Sequence, residues 1–231
     1  MLTIGIPKNA HVLPGILRLL KAADLRPRSV TPSRIELDGL PGVELLVLKP
    51  KRLAILATRG RIDAAIAGED VLRESGGFIE TIGKLRADHF GLRRTRISLY
   101  VHKDDPASNI DAVSSGAKVL CEYVRIAHEF FAYRSDINLI ESPGNTEAEI
   151  PRLYRFGVGV VDSGRSLQRH FLKEIETLCY SDPVLVRSGY MPISDEKRET
   201  LDSFAQILML AIDRDPIPKP AALPDHTVFS R

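Results

Sequence analysis

One loop of this chain combines residue types that suit the binding of a phosphate group. A β-branched run ending at Val161 leads into a small polar loop, and a helix-like segment follows. The loop residues are Asp162, Ser163, Gly164, Arg165, Ser166 and Leu167. Unpaired backbone N–H groups and the helix dipole favour an anion at a helix start, and Arg165 can add a bidentate contact. An ordinary strand-to-helix turn, with Ser and Gly as caps, is the alternative explanation.

Alternating strand and helix patterns surround this loop and must position it. Apolar residues recur at helical spacing in some segments and form short continuous runs in others, which indicates βαβ units and a mostly parallel sheet. The predicted strands are 2–6, 43–48, 62–68, 97–101, 117–120, 137–140, 157–161 and 184–186. The predicted helices are 12–23, 51–58, 127–133, 147–154, 166–175 and 196–212.

The expected fold is α/β, with two lobes built on mixed, mostly parallel sheets. The first lobe comprises residues 1–91 and 175–215, and the second lobe, 92–174, is inserted into it and carries the phosphate loop. The chain then crosses between the lobes twice, which leaves a cleft of the kind that often holds a ligand. Residues 216–231 include four prolines between 216 and 224, so we expect an extended tail there.

Composition narrows the classes of function. Lys and Arg number 32 against 30 Asp and Glu, so a net charge of +2 gives no case for a nucleic-acid, membrane or polyanionic partner. Cys121 and Cys179 have no metal-ligand spacing and are typical of reduced, buried thiols. The N-terminus resembles a first strand rather than a signal peptide, and no run approaches the ~18 apolar residues of a membrane helix. We therefore expect a cytoplasmic protein.

Four segments, in order and spacing, resemble a known family. They are residues 6–8 (Ile-Pro-Lys), 60–70 (Gly-Arg-Ile-Asp-Ala-Ala-Ile-Ala-Gly-Glu-Asp), 141–147 (Glu-Ser-Pro-Gly-Asn-Thr-Glu) and 163–167 (Ser-Gly-Arg-Ser-Leu). The chain thereby resembles the short form of ATP phosphoribosyltransferase, the first enzyme of histidine biosynthesis, as a divergent member. The resemblance implies a bilobal fold like that of type II periplasmic binding proteins. It also implies transfer of the phosphoribosyl group of phosphoribosyl pyrophosphate (PRPP) to N1 of ATP, with release of pyrophosphate and with Mg²⁺ as cofactor.

The resemblance also implies roles for individual residues. The loop from Ser163 to Leu167 corresponds to the segment that holds the 5′-phosphate of PRPP. Glu147 and Asp162 are the candidate catalytic carboxylates, facing ribose hydroxyls or Mg²⁺, although placement at a helix N-terminus explains each of them equally well. Lys8 follows a strand at the sheet rim, where it contacts pyrophosphate or is simply solvated. The remaining candidate substrate-binding residues are Asp63, Gly68, Asp70 and Gly144, and metal ligands stay unassigned.

Two departures from the family pattern support a second hypothesis. Gly159 and Arg155 occupy positions where the family carries acidic residues upstream of the loop. They favour a diverged, non-catalytic or repurposed relative that binds a small phosphorylated or anionic ligand in the interlobe cleft. The retained loop favours the phosphoribosyltransferase.

Assembly is the last expectation that the resemblance carries. Short-form members lack a C-terminal regulatory domain and associate with a separate subunit similar to a histidyl-tRNA synthetase. We therefore expect a homodimer or higher oligomer, with such a regulatory subunit as a possible partner. The acceptor substrate, the oligomer size and activity in the absence of a partner stay open at this point.

Overall fold

The structure is a computed structural model that describes residues 1–10, 12–190 and 192–214. The predicted tail, 216–231, lies outside the described residues. The strands are β1 Leu2–Pro7, β2 Arg26–Thr31, β3 Arg34–Asp38, β4 Val43–Leu48, β5 Ala64–Gly68, β6 Ile79–Lys84, β7 Thr95–His102, β8 Lys118–Cys121, β9 Asn138–Glu141, β10 Phe156–Val161, β11 Leu172–Ser181 and β12 Pro183–Ser188. The helices are α1 Leu13–Ala22, α2 Pro50–Thr58, α3 Glu69–Ser75, α4 Val124–Phe130, α5 Arg165–Arg169 and α6 Asp195–Arg214, with short 3-10 helices at Asp88–Phe90, Ile110–Ala112 and Thr146–Glu149.

The first sheet has seven strands in the order β2-β3-β4-β1-β5-β12-β6. The central strand β1 pairs in parallel with both β4 and β5. The strands on either side of these three pair antiparallel. Helices α1 and α6 cover one face, where Ile16, Phe204 and Leu208 are buried against strand residues. Helix α2 covers the other face through Leu53 and Ala57. Burial of both faces explains why the central strands are continuous apolar runs.

The second sheet has five strands in the order β11-β7-β10-β8-β9. Strands β8, β9 and β10 are parallel, and β7 is antiparallel to both β10 and β11. Helix α4 covers one face of this sheet. A smaller apolar cluster on the opposite face includes Tyr100 of β7, Val161 of β10 and Leu167 of α5. The two mixed sheets confirm the predicted α/β class.

Two predicted helices near the loop are wrong. Helix α5 ends at Arg169, and the chain from Leu172 onward forms β11, whereas the sequence pattern predicted a helix over 166–175. Phe171 adopts a positive φ of 57°, a backbone turn that separates the two elements. The predicted helix over 147–154 is only the 3-10 turn Thr146–Glu149. Pro151 lacks the N–H that a longer helix would need.

The chain crosses between the sheets after β6 and again after β11, and the two crossings are tied together. Arg94 donates two hydrogen bonds to the carboxylate of Asp182, at 2.9 and 2.6 Å. This guanidinium lowers the pKa of Asp182, whose side chain is almost completely buried. Strand β11 belongs wholly to the second sheet and therefore runs past residue 174, where the sequence placed the return to the first lobe. The division into lobes remains a prediction.

In the described part of the chain, no helix has both the length and the apolar character that a membrane crossing requires.

Candidate functional site

The phosphate loop leaves its backbone accessible. Strand β10 ends at Val161, and α5 begins at Arg165 after Gly164, which has φ +74° and ψ 0°. No side chain caps this helix start, and a Cβ built on Gly164 meets nothing within 4 Å. Asp162, Ser163 and the following polar residues are largely exposed, whereas Leu167 is buried. Gly164 is itself the N-cap, as the alternative of an ordinary turn with Ser and Gly caps expects, and no Ser or Asp side chain caps the helix start.

The structure brings two of the predicted site residues into contact. Ser166 of the loop donates a hydrogen bond to Oε1 of Glu147 at 2.9 Å. Glu147 comes from the 3-10 turn Thr146–Glu149, whose first residue is completely buried. Asp162 remains exposed beside the loop, and its carbonyl oxygen accepts a hydrogen bond from Arg96 at 3.3 Å. A carboxylate and a set of backbone donors thus lie side by side at the carboxyl end of β10.

A hydrogen bond joins the carboxyl ends of parallel strands from the two sheets. Lys51, in the first turn of α2 after β4, donates to the carbonyl of Pro143, just after β9, at 3.3 Å. Lys8 follows β1 at the same edge, and its N–H donates to Leu48 at the end of β4 at 2.6 Å. Its side chain is exposed. In open α/β sheets this edge is the usual place for a ligand, so the predicted position of Lys8 at the rim is consistent with the structure.

Sequence reasoning missed one carboxylate at the carboxyl edge of the second sheet. Glu122 follows β8 directly and lies beneath the turn at Gly144, whose φ is +135° and whose added Cβ would stand 3.4 Å from Glu122 Oε1. Burial raises the pKa of Glu122, Lys51 opposes that shift, and the negative charge of Glu147 adds to it. The signal was available, because an acidic residue directly after a buried parallel strand belongs at the ligand edge.

Asp63 lies away from the cleft, which corrects its predicted role. It precedes β5 at the amino end of the strand, so the length of the strand separates it from the carboxyl edge. Its carboxylate accepts hydrogen bonds from the Thr3 N–H at 2.8 Å and from Lys197 at 2.7 and 2.8 Å. Asp63 therefore anchors α6 to the sheet.

Asp70 and Gly68 pack against Ser181, at the point where the chain crosses back between the sheets. Ser181 donates to Asp70 Oδ1 at 2.6 Å, and the Asp70 carboxylate also lies against Tyr123. Asp70 is only 8% exposed. A Cβ at Gly68 would stand 2.2 Å from Asp70 Oδ1, so glycine permits this close packing. The predicted substrate-binding role of Asp70 is not supported, because its carboxylate accepts hydrogen bonds from Ser181 and Tyr123.

The two departures from the family pattern have different structural meanings. Arg155 precedes β10 at its amino end and pairs with Asp105 through two hydrogen bonds of 2.8 Å. It therefore lies at the opposite end of the strand from the loop. Gly159 lies near the loop, and its missing side chain leaves room for Tyr100, whose hydroxyl would be 3.0 Å from an added Cβ.

The donor set fits a magnesium ion that arrives with its substrate. Within the described residues, no cluster of three or more His, Cys, Asp or Glu side chains is arranged to hold a metal ion. Mg²⁺ is often bound by one or two carboxylates together with substrate phosphates rather than by an all-protein cage. Glu147 and Asp162, beside Ser166 and Ser163 of the loop, can supply such a partial set.

Comparison with known proteins decides the family. The sequence model of a family described as ATP phosphoribosyltransferase matches residues 49–208, more than half of the chain. The chain belongs to this family. Two relatives named ATP phosphoribosyltransferase are 27% identical over 208 residues (Rhodococcus opacus; 87% of this chain, 70% of the relative) and 28% identical over 212 residues (Koribacter versatilis; 91% and 73%). These low identities agree with the expectation of a divergent member.

Solved structures support the fold of this ATP phosphoribosyltransferase family member. The ATP phosphoribosyl transferase (HisG:HisZ) complex from Thermotoga maritima contains a chain with TM-score 0.72 and 18% identity, covering 93% of this chain and 100% of that one. An arginine-binding protein from the same organism gives TM-score 0.58 and 13% identity, with 92% and 90% covered. The binding-protein-like fold that the resemblance implied is thereby confirmed. The chain is an ATP phosphoribosyltransferase-type transferase, an enzyme class of histidine biosynthesis.

Proposed function

We propose that this chain transfers the phosphoribosyl group of PRPP to N1 of ATP and releases pyrophosphate. The observation that carries the proposal is the pairing of an uncapped, open phosphate loop with Glu147, held 2.9 Å from the Ser166 hydroxyl. The reaction needs a 5′-phosphate fixed by donors and a negative group near the ribose, where positive charge develops at C1. The contact between Ser166 of the loop and the Glu147 carboxylate supports this arrangement.

The proposed mechanism depends on positioning and electrostatics rather than on covalent chemistry. The amides of Ser163 to Ser166 and the Arg165 guanidinium hold the 5′-phosphate, which fixes the ribose against Glu147. The glutamate carboxylate stabilises the developing positive charge and accepts a hydrogen bond from a ribose hydroxyl. A bound Mg²⁺, which Glu147 and Asp162 would help to hold, would supply positive charge to the pyrophosphate leaving group. Lys8 and Lys51, on the facing edge, supply positive charge for the phosphates of PRPP and ATP.

The same site weighs against the alternative of a diverged anion-binding protein. That alternative was favoured by the acidic residues lost at Gly159 and Arg155. Arg155 lies at the far end of β10, so its charge does not enter the cleft. Tyr100 occupies the space that a side chain at position 159 would take. Glu147 and Glu122 supply two other carboxylates at the carboxyl edge of the second sheet.

A binding experiment coupled to pyrophosphate release tests the proposal. Calorimetry with PRPP and Mg²⁺ should show saturable binding, and mixing with ATP should release pyrophosphate. Glu147→Gln should reduce the rate, whereas Glu149→Gln, in the same turn but with no side-chain partner assigned in the described structure, is the matched control. Absence of saturable PRPP binding at millimolar concentration would overturn the proposal. Binding without pyrophosphate release, with or without a second subunit, would overturn the assignment of ATP as acceptor.

We also infer that the chain acts as part of an assembly. The Thermotoga structure is described as a complex of two components, which supports a second, regulatory subunit for this chain as well. A homodimer or higher oligomer and a cytoplasmic location remain predictions. Mass measurement of the purified chain, alone and with a co-expressed candidate subunit, decides the assembly.

A further inference from the structure

Strand β10 carries two glycines on the face that meets the buried Tyr100. Gly157 is the register partner of Tyr100, and a Cβ there would stand 2.5 Å from Tyr100 Cε2. A Cβ at Gly159 would stand 3.0 Å from the Tyr100 hydroxyl and 3.2 Å from Thr146 Oγ1. Both glycines are therefore needed for the phenol ring to lie flat along β10 and to reach Thr146.

Tyr100 and Thr146 form a hydrogen-bonded pair of hydroxyls in the interior. Both residues are completely buried, and the two side-chain oxygens are directly bonded. Burial raises the pKa of Tyr100, so the phenol keeps its proton and stays neutral. The ring also shares an apolar cluster with Leu167 of the phosphate loop. The pair thus lies directly beneath the loop and the turn that faces it.

The turn that presents Glu147 has little stability of its own. It is a 3-10 helix of four residues, and such short elements depend on tertiary contacts for their orientation. Asn145 enters the turn with φ +61°, and no side chain caps its start. The buried contacts at its ends are Thr146 and Ile150, which lies in the same cluster as Tyr100. The hydroxyl of Thr146 is the polar anchor closest in sequence to Glu147.

We propose that Tyr100 and Thr146 are positioning residues that hold Glu147 against the phosphate loop and thereby set the affinity of the site for the phosphoribosyl end of the substrate. The substrate in this statement rests on the proposed function. The role of Tyr100 and Thr146 in holding the turn Thr146–Glu149 is inferred from their contacts and does not depend on the substrate. In this chain, a neutral phenol occupies the space beside β10 and supports a carboxylate supplied by the neighbouring turn.

Kinetics of single and double variants test the proposal. Tyr100→Phe and Thr146→Val each remove one hydroxyl and are expected to lower kcat/KM for PRPP roughly tenfold. Thr146→Ser restores the hydroxyl and is expected to recover most of the loss. The matched control is Tyr154→Phe, which removes a phenol hydroxyl from the edge of the same cluster. A Tyr154→Phe loss equal to that of Tyr100→Phe would contradict a specific role for the pair.

Non-additivity separates positioning from general support of the fold. If the pair acts through Glu147, adding Tyr100→Phe to Glu147→Gln should lower kcat/KM by less than about twofold further. The same tenfold loss in both backgrounds would show that Tyr100 acts independently of Glu147 and would overturn the proposal.

Hydrogen exchange gives a readout that needs no activity. Tyr100→Phe and Thr146→Val should both speed amide exchange in 146–150 and 163–167, with exchange in the first sheet unchanged. Unchanged exchange in both segments would overturn the proposal whatever the kinetics show. If the wild type neither binds PRPP nor releases pyrophosphate, the proposed function fails, and the exchange result alone decides whether the pair holds the turn.

Discussion

Replacing Gly164 by aspartate places a negative charge in the loop where a phosphate is proposed to bind. The position has φ +74°, a region in which a non-glycine residue costs about 1–2 kcal/mol of folding free energy, less for Asn and Asp. A new Cβ meets nothing within 4 Å, so no clash adds to that cost. The backbone cost is therefore small, and the charge should dominate the change in binding.

The repulsion is larger than the backbone cost. Two unit charges 4 Å apart repel by about 1 kcal/mol in water and about 4 kcal/mol at an effective dielectric constant of 20. The loop is exposed, so we expect about 2 kcal/mol, which corresponds to a roughly 30-fold increase in the Kd for PRPP. Gly164→Asn, with the same shape and no charge, should raise Kd by less than about threefold.

The chain supplies a matched control in the second sheet. Gly116 has φ +75°, and a Cβ built there also meets nothing within 4 Å. Gly116→Asp thus carries the same backbone change and the same charge at a distance from the cleft, and it should leave Kd unchanged. Calorimetry with PRPP and Mg²⁺ measures Kd, and thermal unfolding measures stability. Equal Kd values for Gly164→Asp and wild type, or equal weakening by Gly164→Asn and Gly164→Asp, would refute the reasoning.

Three further outcomes are expected. Ser166→Ala removes the hydrogen bond to Glu147 and should weaken PRPP binding roughly threefold to tenfold by calorimetry, while the free energy of unfolding changes by less than about 0.5 kcal/mol; an unchanged Kd contradicts this. The hydrogen bonds from Arg155 lower the pKa of Asp105 to about 2. The ion pair therefore stabilises the fold above the unfolded-state pKa of about 4, and its contribution is lost as the pH falls towards 2. Asp105→Asn should therefore lower the unfolding temperature at neutral pH and converge with wild type in acid; a constant difference argues against the ion pair. Burial raises the pKa of Cys121 to about 12, so alkylation followed by mass spectrometry should modify it only after unfolding, and rapid modification of the native protein contradicts the assigned burial.

Local chemistry explains which site predictions were useful. The loop after β10 was recognisable because a strand end and a helix start both depend on neighbouring residues, and Gly164 adopts the positive φ that glycine allows. The α/β class followed in the same way from alternating periodicities. The helix predicted over 166–175 was wrong because a short apolar run does not distinguish a helix from a strand, and pairing with β7 decided in favour of β11.

Residues in one matched motif were separated by the fold. Asp63 and Asp70 lie seven positions apart, yet β5 carries them to opposite ends of the first sheet. Asp63 contacts Lys197 of α6, whereas Asp70 contacts Ser181 where the chain crosses between the sheets. A strand advances about 3.3 Å per residue, so proximity in sequence does not imply a shared site. Conversely, Ser166 and Glu147 are 19 positions apart and bond directly.

By itself, the sequence determined the strand-to-helix loop around Gly164, the class of fold and the family, because each depends on residue types at short spacing or on their order along the chain. Only the tertiary structure decided which carboxylates accompany the loop, that Lys51 reaches across to Pro143, and that Tyr100 fills the space beside Gly159. Those contacts join strands distant in sequence, and their partners are set by how the sheets pack and where the chain crosses between them.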